Sequence, residues 1–323
     1  MFSDGVRKIF VFQKELFLNK AAHSYFLSIS IYIKLIIIWL MKLNPYLEVI
    51  IAATFGGLGG ALIKLINLPP TSVTFFRFIV PVILLYIFLK FRKIELFRGN
   101  YKVMLGASLI NAIRILFFSI GYVYTTMGNA IIMFFTWPIF AALLSIILLK
   151  ERVKTKTFAL FAMAFIGLIV MYMNKEISFS NNDFIGMTAM LFSGIGYALT
   201  VIIFKKELPN YTKTETIFYQ NLLGAIIFLP FIFINKPYPT MPQLGLGIIY
   251  PIIAGLCTFY FFFSALKKLK VVHYSLLTYW EVIAAIFFGV LIFGEAVTWN
   301  MVVGGGLIIV SSLLLKIDKK EQI

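Results

Sequence analysis

Ten apolar runs of about twenty residues each recur along this chain of 323 residues, and they leave it few ways to fold. They fall at 46–64, 71–90, 103–123, 127–149, 157–173, 184–204, 216–234, 245–266, 272–293 and 298–315. A helix of that length crosses the hydrocarbon core of a bilayer. In lipid every backbone polar group must be paired within the structure, and a helix does this inside each segment. Membrane strands would show as alternating segments of about ten residues, and the sequence has none. Composition points the same way: 61% of the residues are hydrophobic and 13% charged, against about half and about a quarter in water-soluble domains. The expectation is an all-α membrane protein with ten transmembrane helices.

A net charge of +16 would suit a nucleic-acid partner if the basic residues formed a patch. Instead they punctuate the apolar runs, as topology signals do, which excludes that class. One set of alternate connections holds Lys90, Arg92, Lys93, Arg98 and Lys102, then Lys150, Arg152, Lys154 and Lys156, then Lys205, Lys206 and Lys213, then Lys267, Lys268 and Lys270. The opposite set holds only Lys64, Lys175 and Lys236. The bias predicts a multi-pass protein of the cell inner membrane or plasma membrane, with both termini cytoplasmic. The segment 24–43 is also apolar, but Lys34 at its middle would cost about 2.5–3.5 kcal/mol in a span. It reads as an interfacial helix, or as an extension arising from a start upstream of Met41.

Shifting the chain against itself by 144 positions aligns 118–151 with 262–295. Phe118 meets Phe262, Ile139 meets Ile283, Ala141 meets Ala285, Glu151 meets Glu295 and Val153 meets Val297. The matches cover two helices, the turn between them and the acidic residue that ends the second. Five spans per half invert the second half relative to the first. The expected organisation is an N-terminal extension at 1–44, a first repeat at 45–175, a second at 184–316 and a cytoplasmic tail at 317–323. Inverted repeats are the mark of secondary transporters, whose related halves expose one midplane site to either side in turn. The other reading is a non-transporting protein, either an integral-membrane enzyme or a duplicated scaffold.

Several short patterns recur in order: Phe75-Phe76-Arg77-Phe78, Pro138-Ile139-Phe140-Ala141, the span-ending Lys150-Glu151 and Gly294-Glu295, and the glycines Gly167 and Gly304 to Gly306. With these, residues 45–316 resemble the EamA-type branch of the drug/metabolite transporter superfamily. The resemblance implies a central cavity lined mainly by the first, third, fourth, sixth, eighth and ninth helices, and movement of small organic solutes. One departure stands out: the family often has proline in the ninth span, where this chain has Trp280-Glu281-Val282.

Ionisable residues deep in apolar runs are expensive and therefore informative. Glu281 must face the cavity, pair with a cation or carry a proton, and reads as a binder of an amino group or as a proton carrier. Arg114, three residues after Asn111 on the same helix face, suits a carboxylate or phosphate, or else pairs with Glu281. Arg77 lies nearer its span's end and either binds solute or snorkels outward. Trp137, Trp280 and Tyr260 sit at depths where an aromatic wall for the solute is plausible, with lipid contact as the alternative. Glu48 and Lys64 lie near span ends and read as solvated at the interface. Glu151 and Glu295 read as capping or pairing with the start of the following helix. Glycines at 56–60, 194–196 and 304–306 read as close helix contacts.

No His/Cys/Asp cluster has metal-ligand spacing and no phosphate-cradling motif appears, so no cofactor is expected and the chain does not read as an enzyme. The partners expected are a small-molecule substrate and the lipid bilayer; a homodimer is compatible with this reading. Opposite charges at one depth suggest an amino acid or an amino-acid-derived metabolite.

Overall fold

In the computed structural model the apolar runs are helices, and polar caps set where several of them begin. The structure describes residues 43–125, 127–173, 181–234, 236 and 238–317; of these, Pro45 onward forms one compact unit. The interfacial helix expected at 24–43 and the tail at 317–323 therefore lie almost wholly outside the described residues. The helices are α1 (Pro45–Ile66), α2 (Pro70–Phe91), α3 (Tyr101–Tyr124), α4 (Met127–Phe134 and Trp137–Leu148) and α5 (Thr155–Tyr172). Then follow α6 (Asn181–Glu207), α7 (Lys213–Ile234), α8 (Met241–Tyr250, Pro251–Cys257 and Thr258–Lys268), α9 (Val271–Leu277 and Trp280–Phe293) and α10 (Trp299–Ile317).

Several helices start a few residues before their apolar runs, and at two of them a capping box supplies the start. At α7, Thr212 N–H donates to Glu215 Oε2 at 2.8 Å while Glu215 N–H donates to Thr212 Oγ1 at 3.2 Å. Arg98 then donates to both oxygens of the same buried carboxylate, at 2.9 and 3.2 Å. At α8 the box is Thr240 with Gln243.

Packing follows the inverted repeat. α1 lies against α8 and α9, and its counterpart α6 lies against α3 and α4. The pairs α2–α7 and α5–α10 each join corresponding helices of the two halves. α5 and α10 cross at glycines: a Cβ on Gly167 would stand 2.7 Å from the Gly304 carbonyl oxygen. Phe78 of α2 sits against Gly224 of α7 and packs with Phe75, Ile115 and Phe228. Outward faces expose Ile147, Phe184, Phe233 and Leu291, which is tolerable only with lipid around them.

The fourth helix of each half is broken near its middle, which the apolar runs did not foretell. In α4 the break at 135–136 precedes Pro138, which lacks the N–H that would continue the helix. In α9 the break at 278–279 occupies the matching place without a proline; there Glu281 and Val282 N–H bond three residues back, to Thr278 and Tyr279. A threonine bonds back onto its helix at each break, Thr136 Oγ1 to the Met133 carbonyl at 2.7 Å and Thr278 Oγ1 to that of Ser275 at 2.6 Å. The breaks also meet. Tyr279 hydroxyl donates to the carbonyl of Phe135, its own counterpart 144 residues earlier, at 3.0 Å.

The repeat extends to the helix ends. Lys150 and Gly294, again 144 apart, both adopt left-handed backbone, with φ of 55° and 65°. Glu151 N–H bonds Ser145 O, and Glu295 N–H bonds Gly289 O, the same six-residue closure in each half. Three expectations for charged residues are corrected here. Glu151 does not cap the following helix: its carboxylate accepts the Val271 and Val272 N–H groups at 2.9 and 3.3 Å, at the start of α9 in the other half. Glu295 pairs with Lys64 of α1 at 2.9 Å. Glu48 is buried rather than solvated, because α8 brings it Lys268 Nζ at 2.6 Å and Ser264 Oγ at 2.8 Å.

Candidate functional site

Halfway along the bundle, Tyr197 of α6 organises one side of the site. The Arg114 guanidinium from α3 lies 4.2 Å from its ring centroid, a cation–π distance. Trp137, the first residue after the α4 break, packs on the same ring at 4.6 Å, and Phe134, just before the break, stacks at 6.0 Å. Arg114 is oriented from its other side: its Nε donates to Asn111 Oδ1 at 2.9 Å, and Asn111 Nδ2 donates to the Gln220 carbonyl of α7 at 2.9 Å. Glycines make the approach possible. A Cβ on Gly196 would stand 2.8 Å from Arg114 Cβ, and one on Gly194 would stand 3.0 Å from the Phe134 carbonyl oxygen.

The α9 break builds the opposing side. Trp280 Nε1 donates to Thr54 Oγ1 of α1 at 3.2 Å. The carboxylate of Glu281 lies over Gly56, where an added Cβ would stand 2.7 Å from Oε1. The Arg77 guanidinium from α2 lies 5.7 Å from the Phe259 ring of α8. Glu281 feels the charge of Arg77, and Tyr197 feels those of Arg114, Glu281 and Arg77, so the four share one electrostatic neighbourhood.

Six of the seven residues expected at the site, Glu281, Arg114, Arg77, Asn111, Trp137 and Trp280, thus gather around the two breaks. Among the described residues no ion pair joins Glu281 to Arg114 or Arg77. The alternative of an Arg114–Glu281 pair is not what forms, since Asn111 and Tyr197 hold the guanidinium. Tyr260 lies elsewhere. It lines a cavity of about 500 Å³ with Phe88, Arg92 and Thr212, and Lys213 Nζ sits 4.2 Å from its ring.

Tyr197 and Thr54 were missed. A tyrosine in an apolar run carries no signal of its own; the signal was the glycine pair at 194 and 196, which reads as close packing without saying what is brought close. Among the described residues no group of three His, Cys, Asp or Glu side chains could hold a metal ion.

Among the described residues, ten helices in two inverted halves, with polar groups gathered where the fourth and ninth are broken, define an integral-membrane transporter. The chain belongs to the EamA-like transporter family, whose model matches residues 43–173 and 184–317, once per half. It is 25% identical to an uncharacterized transporter of Archaeoglobus fulgidus over 66% of this chain and 76% of that one. It is 22% identical to the pseudopaline exporter of Pseudomonas aeruginosa, over 87% of this chain and 98% of that protein. The S-adenosylmethionine uptake transporter of Rickettsia prowazekii is also 22% identical, over 78% and 84%. A crystal structure with 14% identity superposes with a TM-score of 0.75, covering 86% of this chain and 97% of that one, so the two share a fold.

Proposed function

We propose that the chain is a secondary carrier for an amino-acid-derived metabolite, working by alternating access in the cytoplasmic membrane. The single observation that carries the reading is that Arg114, Arg77 and Glu281 share the mid-bundle neighbourhood without an ion pair among them. Unpaired charges inside an apolar bundle are costly, and a solute that matches them offsets the cost. Two guanidinium groups suit carboxylate oxygens, and one carboxylate suits an ammonium group. Two cations against one anion favour a solute with more negative than positive charge. One named relative takes up S-adenosylmethionine, which supports a small organic solute without deciding its charge. The Lys and Arg bias supports a cytoplasmic location for the Glu151 end of the bundle.

Purified protein in liposomes, offered radiolabelled amino acids, dicarboxylic amino acids and S-adenosylmethionine, tests the reading. Transport of at least one is expected, with Glu281→Gln lowering it roughly tenfold or more through the lost charge-assisted contact. Full transport by Glu281→Gln, at unchanged affinity, would overturn the assignment.

A further inference from the structure

We infer that Glu151 and Glu295 form an exchanging pair of latches, each closing one end of the bundle by capping the broken fourth helix of the opposite half. The inference deepens the alternating-access reading and rests on it. Its starting point is that these two residues, equivalent by the repeat and closed onto their helices by the same six-residue backbone bond, have different partners in one structure. Glu151 receives the first two N–H groups of α9, with its charge at the positive end of that helix. Glu295, half-exposed, receives Lys64, whose ammonium also sits 4.1 Å from the Phe293 ring.

The helices around the two residues differ in the same sense. At the Glu151 end the first segment of α9 packs along the second segment of α4. Lys205, near the end of α6, clamps α8 there through the Leu266 and Leu269 carbonyls at 2.6 and 2.7 Å. At the Glu295 end the corresponding segments, the first of α4 and the second of α9, have no comparable packing among the described residues. The fourth helices thus pack more closely where Glu151 is docked than where Glu295 is undocked, and we take the first as the closed end and the second as the open one.

Inverted symmetry supplies the other state. There Glu295 caps the start of α4, Lys64 turns to the end of α3, and Glu151 leaves α9 for Lys205 at the end of α6. Each glutamate then alternates between a helix start, when its end is closed, and a lysine at the end of the first helix of a half, when its end is open. A capped, dipole-assisted carboxylate outweighs an exposed ion pair, so removing either charge mainly weakens the state in which that residue caps.

The test needs no solute. Cys257 is the single cysteine of the chain, so Cys257→Ser gives a silent background. Ser275→Cys then places a buried thiol on the first segment of α9, beside the Glu151 latch. Maleimide labelling of the purified protein in nanodiscs should quicken roughly tenfold in Glu151→Gln, the shift that ~1.4 kcal/mol produces. It should slow in Glu295→Gln, which weakens the opposite state. Opposite signs for the two glutamates support the latch; equal acceleration by both, or no change in either, overturns it. Should Ser275→Cys misfold, spin-label distances across each end of the same variants carry the same sign test. Failure of transport with opposite-signed labelling would sink the solute assignment and leave the latch standing.

Discussion

Gly56 and Gly57 are neighbours on α1, yet they should respond to alanine in different ways. A Cβ on Gly56 meets the end of a flexible side chain, with Glu281 Oε1 at 2.7 Å and Cδ at 2.8 Å. A Cβ on Gly57 meets backbone, with the Ala285 nitrogen at 2.6 Å. Gly56→Ala should therefore leave a folded carrier whose Glu281 is displaced, with solute affinity down roughly tenfold, measured as a rise in KM at little-changed melting temperature. Gly57→Ala should lower stability by about 1–3 kcal/mol, the usual cost of overpacking against a rigid neighbour. The sequence made Glu281, Arg114 and Arg77 legible because a charge in an apolar run has to be explained. It was silent on Tyr197, whose chemistry suits a core as well as a site. It misplaced Tyr260, because depth along a helix says nothing about which way the side chain faces. For Glu48 it could not foresee that α8 would deliver Lys268.

At the scale of the helix, the ten runs were readable to within a few residues because the bilayer sets a length and the apolar pattern reports it. Helix starts moved where a polar cap lay outside the run, as at Thr212 and Thr240. The break in α9 was hidden because it has no proline; it depends on Thr278 bonding back and on Tyr279 reaching across to Phe135. Glycine triplets were read as uniform packing surfaces, but the structure separates them. On Gly304 a Cβ would collide with the Gly167 carbonyl and lie 2.9 Å from the Met171 nitrogen, whereas on Gly306 it would meet nothing within 4 Å. Gly304→Ala should destabilise the α5–α10 crossing by about 1–3 kcal/mol, read as a fall in thermal midpoint in detergent. Gly306→Ala should be neutral or stabilise by about 0.5–1 kcal/mol, since helix propensity alone changes there. A comparable loss in both variants would mean that the crossing is not where the strain falls.

For the whole molecule, two inverted halves imply two related states, and one structure records only the first. The asymmetry between latches makes a prediction that a fixed ion pair would not. Exchanging the charges, Lys64→Glu with Glu295→Lys, restores an attraction at the open end. In the opposite state, however, position 295 must meet the positive start of α4, where a lysine is repelled by the helix dipole. The double variant should therefore fold, keep the Ser275→Cys thiol at least as protected as in the parent, and transport roughly tenfold slower, because one half of the cycle has become unfavourable. If Lys64 and Glu295 were only a surface ion pair, the exchange would restore transport along with the attraction. Slow transport combined with a protected thiol thus separates a residue that must meet two different partners in turn from one that merely needs an opposite charge beside it.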